Sequence, residues 1–167
     1  MVGTPVLFIA IPLLAAFLIP LLGFVWKESV RILPGLVLLY LLYLAVNLMG
    51  QVAHSGTIVE VIAGWAPPWG INLVFSPLTG LLTTLMILMG FIIWIYSYRF
   101  KNIDFQEAVK YFILLLMMIT GSVGIVLTGD IFNQFVFIEI TSISAYALTA
   151  FYKGRDSAEA SFKYLII

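Results

Sequence analysis

The chain contains no cysteine and little charge. Without cysteine there is no disulfide, no thiolate zinc site, no Cys-ligated iron–sulfur cluster and no cysteine nucleophile. Charged residues make up 10% of the 167 positions, Lys+Arg 8 balance Asp+Glu 8, and there is a single histidine. A soluble domain carries about 25% charged residues, so these side chains cannot clothe a water-facing surface. The zero net charge leaves no basic footprint for nucleic acid. What fills the chain instead is apolar: 63% of residues are hydrophobic and the mean hydropathy is +1.14. That composition excludes disorder as well. The class that remains is an integral membrane protein.

A membrane-spanning helix needs about 20 mostly apolar residues. Such runs cover residues 5–25, 32–53, 75–98, 107–127 and 131–152, and a sixth opens over 158–167. The runs are apolar all round rather than alternating, which argues against barrel strands. Helix is also the structure that leaves no backbone group open to lipid. The expected fold is therefore an all-α integral membrane bundle of five transmembrane helices plus the start of a sixth, in one module over 1–167. The first run is too long, and lacks the basic start and small-residue cleavage site, for a signal peptide. Breakers and charges separate the runs: Lys27-Glu28, a long loop from His54 to Val74 with Pro67-Pro68, the stretch Arg99–Asp104, the turn Thr128-Gly129-Asp130, and Lys153–Asp156.

Lysine and arginine are distributed on one side. Lys27 and Arg31 follow the first span, Arg99, Lys101 and Lys110 the third, and Lys153, Arg155 and Lys163 the fifth. The His54–Val74 loop and the Thr128–Asp130 turn carry none. The positive-inside rule places the basic loops in the cytoplasm and Met1 outside. Trp65 and Trp69 then lie in an outer loop, and Trp26 and Trp94 near the cytoplasmic helix ends, as interfacial indoles do.

Most carboxylates (Glu28, Asp104, Glu107, Asp156 and Glu159) stand beside these basic loops and neutralise them. Glu139 differs. It lies about 13 Å into the fifth helix, near the middle of a hydrocarbon core about 30 Å thick. An ionisable group at that depth is costly, faces the bundle interior as a rule, and marks ion pathways. Two readings stand: a buried proton site, or a protonated glutamic acid donating one hydrogen bond across a helix interface. Ser142, Phe135 and Tyr146 share its helix face. Ser142 and Tyr146 can pass or orient a proton, and Phe135 can keep the site dry. Asp130 opens the fifth helix, where a carboxylate either caps the first turn or joins the proton route. Lys110 lies about 13 Å below the level of Glu139. It either snorkels to the interface or reaches Glu139 through water. His54 reads as a solvated residue at the outer end of the second helix. Gly121, Ser122 and Gly124 let a neighbouring helix approach closely, and the short Thr128–Asp130 turn makes the fourth and fifth helices antiparallel neighbours. No dinucleotide loop, P-loop, metal cluster or hydrolase triad is present in the sequence, so no cofactor and no catalytic centre are expected in this chain.

Three stretches carry a resemblance. Gly64-Trp65-Ala66-Pro67-Pro68-Trp69-Gly70-Ile71, with Phe75-Ser76-Pro77-Leu78-Thr79-Gly80 and Tyr96-Ser97, resembles the third-helix region of the Mrp antiporter-like membrane subunits. Thr128-Gly129-Asp130-Ile131-Phe132-Asn133-Gln134-Phe135-Val136-Phe137-Ile138-Glu139, with Ser144-Ala145-Tyr146-Ala147-Leu148, is similar to their fifth helix. Glu159-Ala160 and Phe162-Lys163-Tyr164 look like the entry to the sixth. This family is shared by Mrp cation/proton antiporters, respiratory complex I and archaeal membrane-bound hydrogenase and sulfane reductase complexes. The resemblance implies a proton-translocating module in which the glutamate matching Glu139 pairs with a lysine on a seventh helix, and Asp130 matches a position commonly acidic. Ser76 departs from the pattern, standing where many members have Asp.

The function expected from these observations is a membrane subunit of a respiratory or antiporter-type complex, contributing an incomplete proton or cation translocation module. The alternative is a structural, shortened subunit that seals a neighbour without moving ions. The expected location is the cell membrane of a prokaryote. Expected partners are the lipid bilayer and other integral membrane subunits, including full-length antiporter-like chains. Redox subunits with iron–sulfur clusters elsewhere in the complex are compatible with the resemblance. Residues 158–167 rise about 15 Å as helix, half of the core, so they are expected to pack on a neighbouring membrane subunit with Ile167 away from lipid.

Overall fold

A computed structural model describes residues 4–65, 70–99, 104–152 and 154–166. The sequence expectations for Met1, Pro67, Pro68, Trp69, Lys101, Lys153 and Ile167 lie outside the described residues. The expected helices are present, as α1 (Leu7–Val25), α2 (Ser29–Ser55), α3 (Pro77–Tyr98), α4 (Phe105–Leu127), α5 (Ile131–Thr149) and α6 (Arg155–Ile166). The first five are long and apolar enough to cross a membrane. Their bounds differ from the apolar runs for local reasons. α2 starts at Ser29 rather than 32 because Ser29 and Val30 are already buried. α5 ends at Thr149, short of 152, and Phe151 turns its ring onto Tyr111 at a centroid distance of 5.4 Å. α3 begins at Pro77, with Ser76 as its cap: the Thr79 N–H donates to Ser76 Oγ at 3.2 Å and the Ser76 N–H to Thr79 Oγ1 at 2.8 Å. This reciprocal pair satisfies amides that the helix start leaves open, and the proline ring suits the first turn.

α4 is the hub of the bundle. It packs against α1, α2, α3 and α5, while α6 packs on α5. Leu38, Leu41 and Leu44 of α2, Ile19 of α1, Ile87 of α3, and Leu115 and Leu116 of α4 are sealed within the core. Close approaches use glycine. A Cβ at Gly35 would overlap the Trp94 indole, which instead lies flat there and donates from Nε1 to the Arg31 carbonyl at 2.7 Å.

The described residues between α2 and α3 include two paired strands that composition alone does not mark. β1 (Ile58–Val61) and β2 (Asn72–Phe75) pair antiparallel, with Ile58 opposite Phe75 and Val61 opposite Asn72. Phe75, expected inside the third span, belongs to β2 and stacks on Phe8 at 5.8 Å. The hairpin ties the bundle at that end. Glu60 Oε2 accepts from the Val6 N–H at 2.8 Å, at the start of α1. The Gly129 N–H donates to the Asn72 carbonyl at 2.9 Å, and Leu73 bridges to Thr128. Gly56 makes the exit from α2 with φ 80°, a backbone region open essentially to glycine alone. At the opposite end Ser97 and Tyr111 join α3 to α4 through a 2.6 Å hydroxyl pair, and Lys27 sits over the Phe105 ring at 6.0 Å. The bundle thus has a hairpin end and a basic end.

Candidate functional site

α5 carries the polar chemistry of the bundle, and its attachment to α4 decides where each side chain faces. At Gly121 of α4 an added Cβ would lie 2.9 Å from the Thr141 nitrogen and 3.0 Å from the Phe137 carbonyl, and at Gly124 it would strike the Phe137 ring. The missing side chains therefore bring the α5 backbone against α4. Phe137 and Ser144 are buried in that contact. Thr141 donates to the Phe137 carbonyl at 2.8 Å and Ser144 to the Ile140 carbonyl at 2.7 Å, so both hydroxyls are satisfied within α5.

Glu139 lies on the other side. The sequence places it inside the bundle; within this chain its side chain is instead exposed, beside exposed Phe135, Val136 and Ile143. It forms no hydrogen bond or ion pair with a described residue. The physical reason is the spacing of contacts: Phe137, Thr141 and Ser144 hold one stripe of α5 to α4, and residue 139 is rotated about 200° from 137 on a helix of 3.6 residues per turn. Phe135, expected to keep the site dry, is itself 60% exposed. Ser142 and Tyr146, within about 60° of Glu139 around the helix, are half-buried. The Tyr146 carbonyl accepts from Ser161 Oγ of α6 at 2.9 Å.

Asp130 is the N-cap of α5, its Oδ2 accepting from the Asn133 N–H at 2.7 Å. Thr128 Oγ1 accepts from the Asn133 side-chain amide at 3.2 Å, closing the turn. Lys110 is exposed near the basic end, lining a cleft with Pro20 and Phe24 of α1, and makes no ion pair with Glu139. Ser142 and Tyr146 share α5 with Glu139, Asp130 caps the start of that helix, and Lys110 stands on α4 near the basic end. His54 is exposed in the last turn of α2. Among the described residues no group of His, Asp and Glu could hold a metal ion. α6 lies along α5, carries a Lys163–Glu159 pair at 2.7 Å, and buries none of its side chains.

Sequence reasoning missed three polar features. Glu60 had a signal, since the alternation Ile58-Val59-Glu60-Val61 bounded by glycine is that of a strand. The Ser97–Tyr111 pair and Thr83 had none. Thr83 is fully buried and its hydroxyl has no hydrogen-bond partner among the described residues.

A bundle of apolar helices with this end-to-end order is a multi-pass membrane protein. No protein-family model matches the chain. Individual proteins do. It is 39% identical to NADH-quinone oxidoreductase subunit N of Desulforudis audaxviator over 98% of this chain and 33% of that protein. It is 28% identical to a Na(+)/H(+) antiporter subunit of Alkalihalophilus pseudofirmus over 95% of this chain and 33% of the relative. Among solved structures it superposes on a chain of the membrane-bound sulfane sulfur reductase, an archaeal respiratory membrane complex, with a TM-score of 0.88 and 37% identity over 97% of this chain and 33% of that one. A chain of the Mrp complex from Dietzia gives 0.80 and 26%, over 97% and 31%. The chain is a homologue of the antiporter-like membrane subunits and, at about a third of the length of these relatives, corresponds to an N-terminal part of them. Relatives of these kinds and the five apolar helices make it a multi-pass membrane protein of a prokaryote.

Proposed function

We propose that the chain supplies part of a proton- or cation-translocating module in a multi-subunit membrane complex, with Glu139 as its proton site. The observation that carries this reading is the position of Glu139: mid-helix, at membrane depth, on the face of α5 that α4 does not cover. A carboxyl group facing acyl chains at that depth costs several kcal/mol, so the exposed face is one that another protein segment covers. That segment brings the cation that no described residue places beside Glu139. Ser142 and Tyr146 flank the route along α5, and Asp130 fixes the helix start. Lys110 takes no direct part. Partners are other integral membrane subunits, including antiporter-like chains, and the basic end faces the cytoplasm.

Two experiments test the reading. Glu139→Gln keeps the side-chain size, so the complex should assemble while coupled proton movement into inverted vesicles falls at least 10-fold. Unchanged coupled transport would favour the second reading, a packing subunit with an idle carboxylate; what favours that reading is the absence of any partner for Glu139 among the described residues. For orientation, a cysteine replacing Arg155 in this cysteine-free chain should react with an impermeant thiol reagent only after cells are permeabilised. Labelling in intact cells would reverse the assignment.

A further inference from the structure

α1 and α4 run antiparallel and leave a groove between them on the bundle surface. Its first part, with a volume of about 420 Å³, is lined by Leu13, Ala16 and Phe17 of α1 and by Ile113 and Met117 of α4. Pro20 lines this part and also the next, of about 400 Å³, which continues past Phe24, Phe105 and Val109 to Lys110. Ala16 is buried and forms a shallow floor; a larger residue there would fill the space. From Leu13 to Phe24 the helix rises about 16 Å. That is about half of a hydrocarbon core about 30 Å thick, the depth of one leaflet.

The groove ends among cations. Lys110 lines its mouth and is exposed. Phe105 is shared with an adjoining cleft of about 160 Å³ lined by Lys27 and Arg31. Lys27 has its ammonium 6.0 Å from the centroid of that ring. Neither lysine forms an ion pair with a described residue. Glu28 is the carboxylate that lines the adjoining cleft, and Glu107 lines neither. An apolar trough one leaflet deep, with Lys110 at its mouth and Lys27, Arg31 and Glu28 around the adjoining cleft, matches the shape of a phospholipid and, with three cations to one carboxylate, the charge of an anionic headgroup.

We propose that this α1/α4 groove binds one anionic phospholipid, its acyl chain lying along Ala16 and Pro20 and its phosphate held by Lys110 and Lys27. A transmembrane helix as occupant would need a contact along the whole span, whereas this trough stops at Leu13 and Met117. Basic pockets between helices on the cytoplasmic side hold acidic headgroups in this way. The inference does not depend on Glu139 or on ion movement.

The test uses the protein in its purified membrane assembly, equilibrated in nanodiscs with equal phosphatidylglycerol and phosphatidylcholine. Lipid that stays bound after release into detergent is counted by native mass spectrometry. Phosphatidylglycerol should be retained over phosphatidylcholine. Lys110→Gln and Lys27→Gln, both at exposed positions, should each weaken its retention about 5-fold. Ala16→Phe should reduce retention of both lipids. Because that variant packs against the core, a photo-reactive side chain at Phe17 gives an independent reading and should label lipid. Equal retention of the two lipids, no effect of either lysine change, or capture of a protein subunit at Phe17 would each overturn the proposal.

Discussion

Helices α4 and α5 are adjacent, antiparallel and of similar length, yet they are built for different surroundings. In the most apolar stretch of α4, 44% of residues are buried within the chain; in α5 the share is 11%. α4 packs against α1, α2, α3 and α5 and uses Gly121 and Gly124 for its closest contacts. α5 touches α4 along one stripe and carries Glu139, Ser142 and Tyr146 off that stripe. A helix whose polar groups point away from its own bundle is stable in a membrane only if something else covers it. The contrast separates a helix packed against four elements of this chain from one whose Glu139 face no described residue covers.

The largest expected effect comes from breaking the contact between the two. Gly121→Leu would drive a side chain into the Thr141 backbone and the Phe137 carbonyl, both about 3 Å from the first added carbon. Overpacking of this kind costs about 1–3 kcal/mol or more. The yield of folded protein on fluorescence-detected gel filtration should collapse. The matching change on the open face, Phe135→Ala, should leave the yield of the isolated chain near that of the wild type. Equal losses for the two would show that α5 is held by both faces and would dissolve the distinction.

A smaller effect sharpens it. Asp130→Ala removes the acceptor for the Asn133 N–H, and loss of such a cap costs about 0.5–2 kcal/mol. Thermal unfolding should shift modestly while coupled transport per folded complex stays within about 2-fold. A transport loss as deep as that of Glu139→Gln, without a stability change, would move Asp130 from the frame into the proton route.

Much of this is legible in the residues. The apolar runs locate the helices because the requirement for internal hydrogen bonding leaves no other way through lipid. Gly121 and Gly124 announce the α4 face that α5 meets, and Asp130 at the helix start reads as a cap. The hairpin is hidden because its strands, Ile58–Val61 and Asn72–Phe75, are short and sit inside what composition marks as a loop; Phe75 then merges with the apolar run of α3. The facing of Glu139 is hidden for a different reason. Polar residues stand on several sides of α5 (Glu139, Thr141, Ser142 and Ser144), so no single polar face orients it, and position along the axis can be counted from sequence but rotation about the axis cannot. The contacts of Phe137 and Thr141 settle that rotation, and they turn Glu139 outward.

The central claim is that Glu139 takes up and releases protons as the assembly turns over. Infrared difference spectroscopy of the reconstituted complex, comparing wild type with Glu139→Gln, tests it most directly. A protonated-carboxyl carbonyl band should appear and disappear with turnover in the wild type and be missing in the variant. An identical carboxyl difference spectrum in the two proteins, with turnover intact, would contradict the claim and leave Glu139 a packing residue.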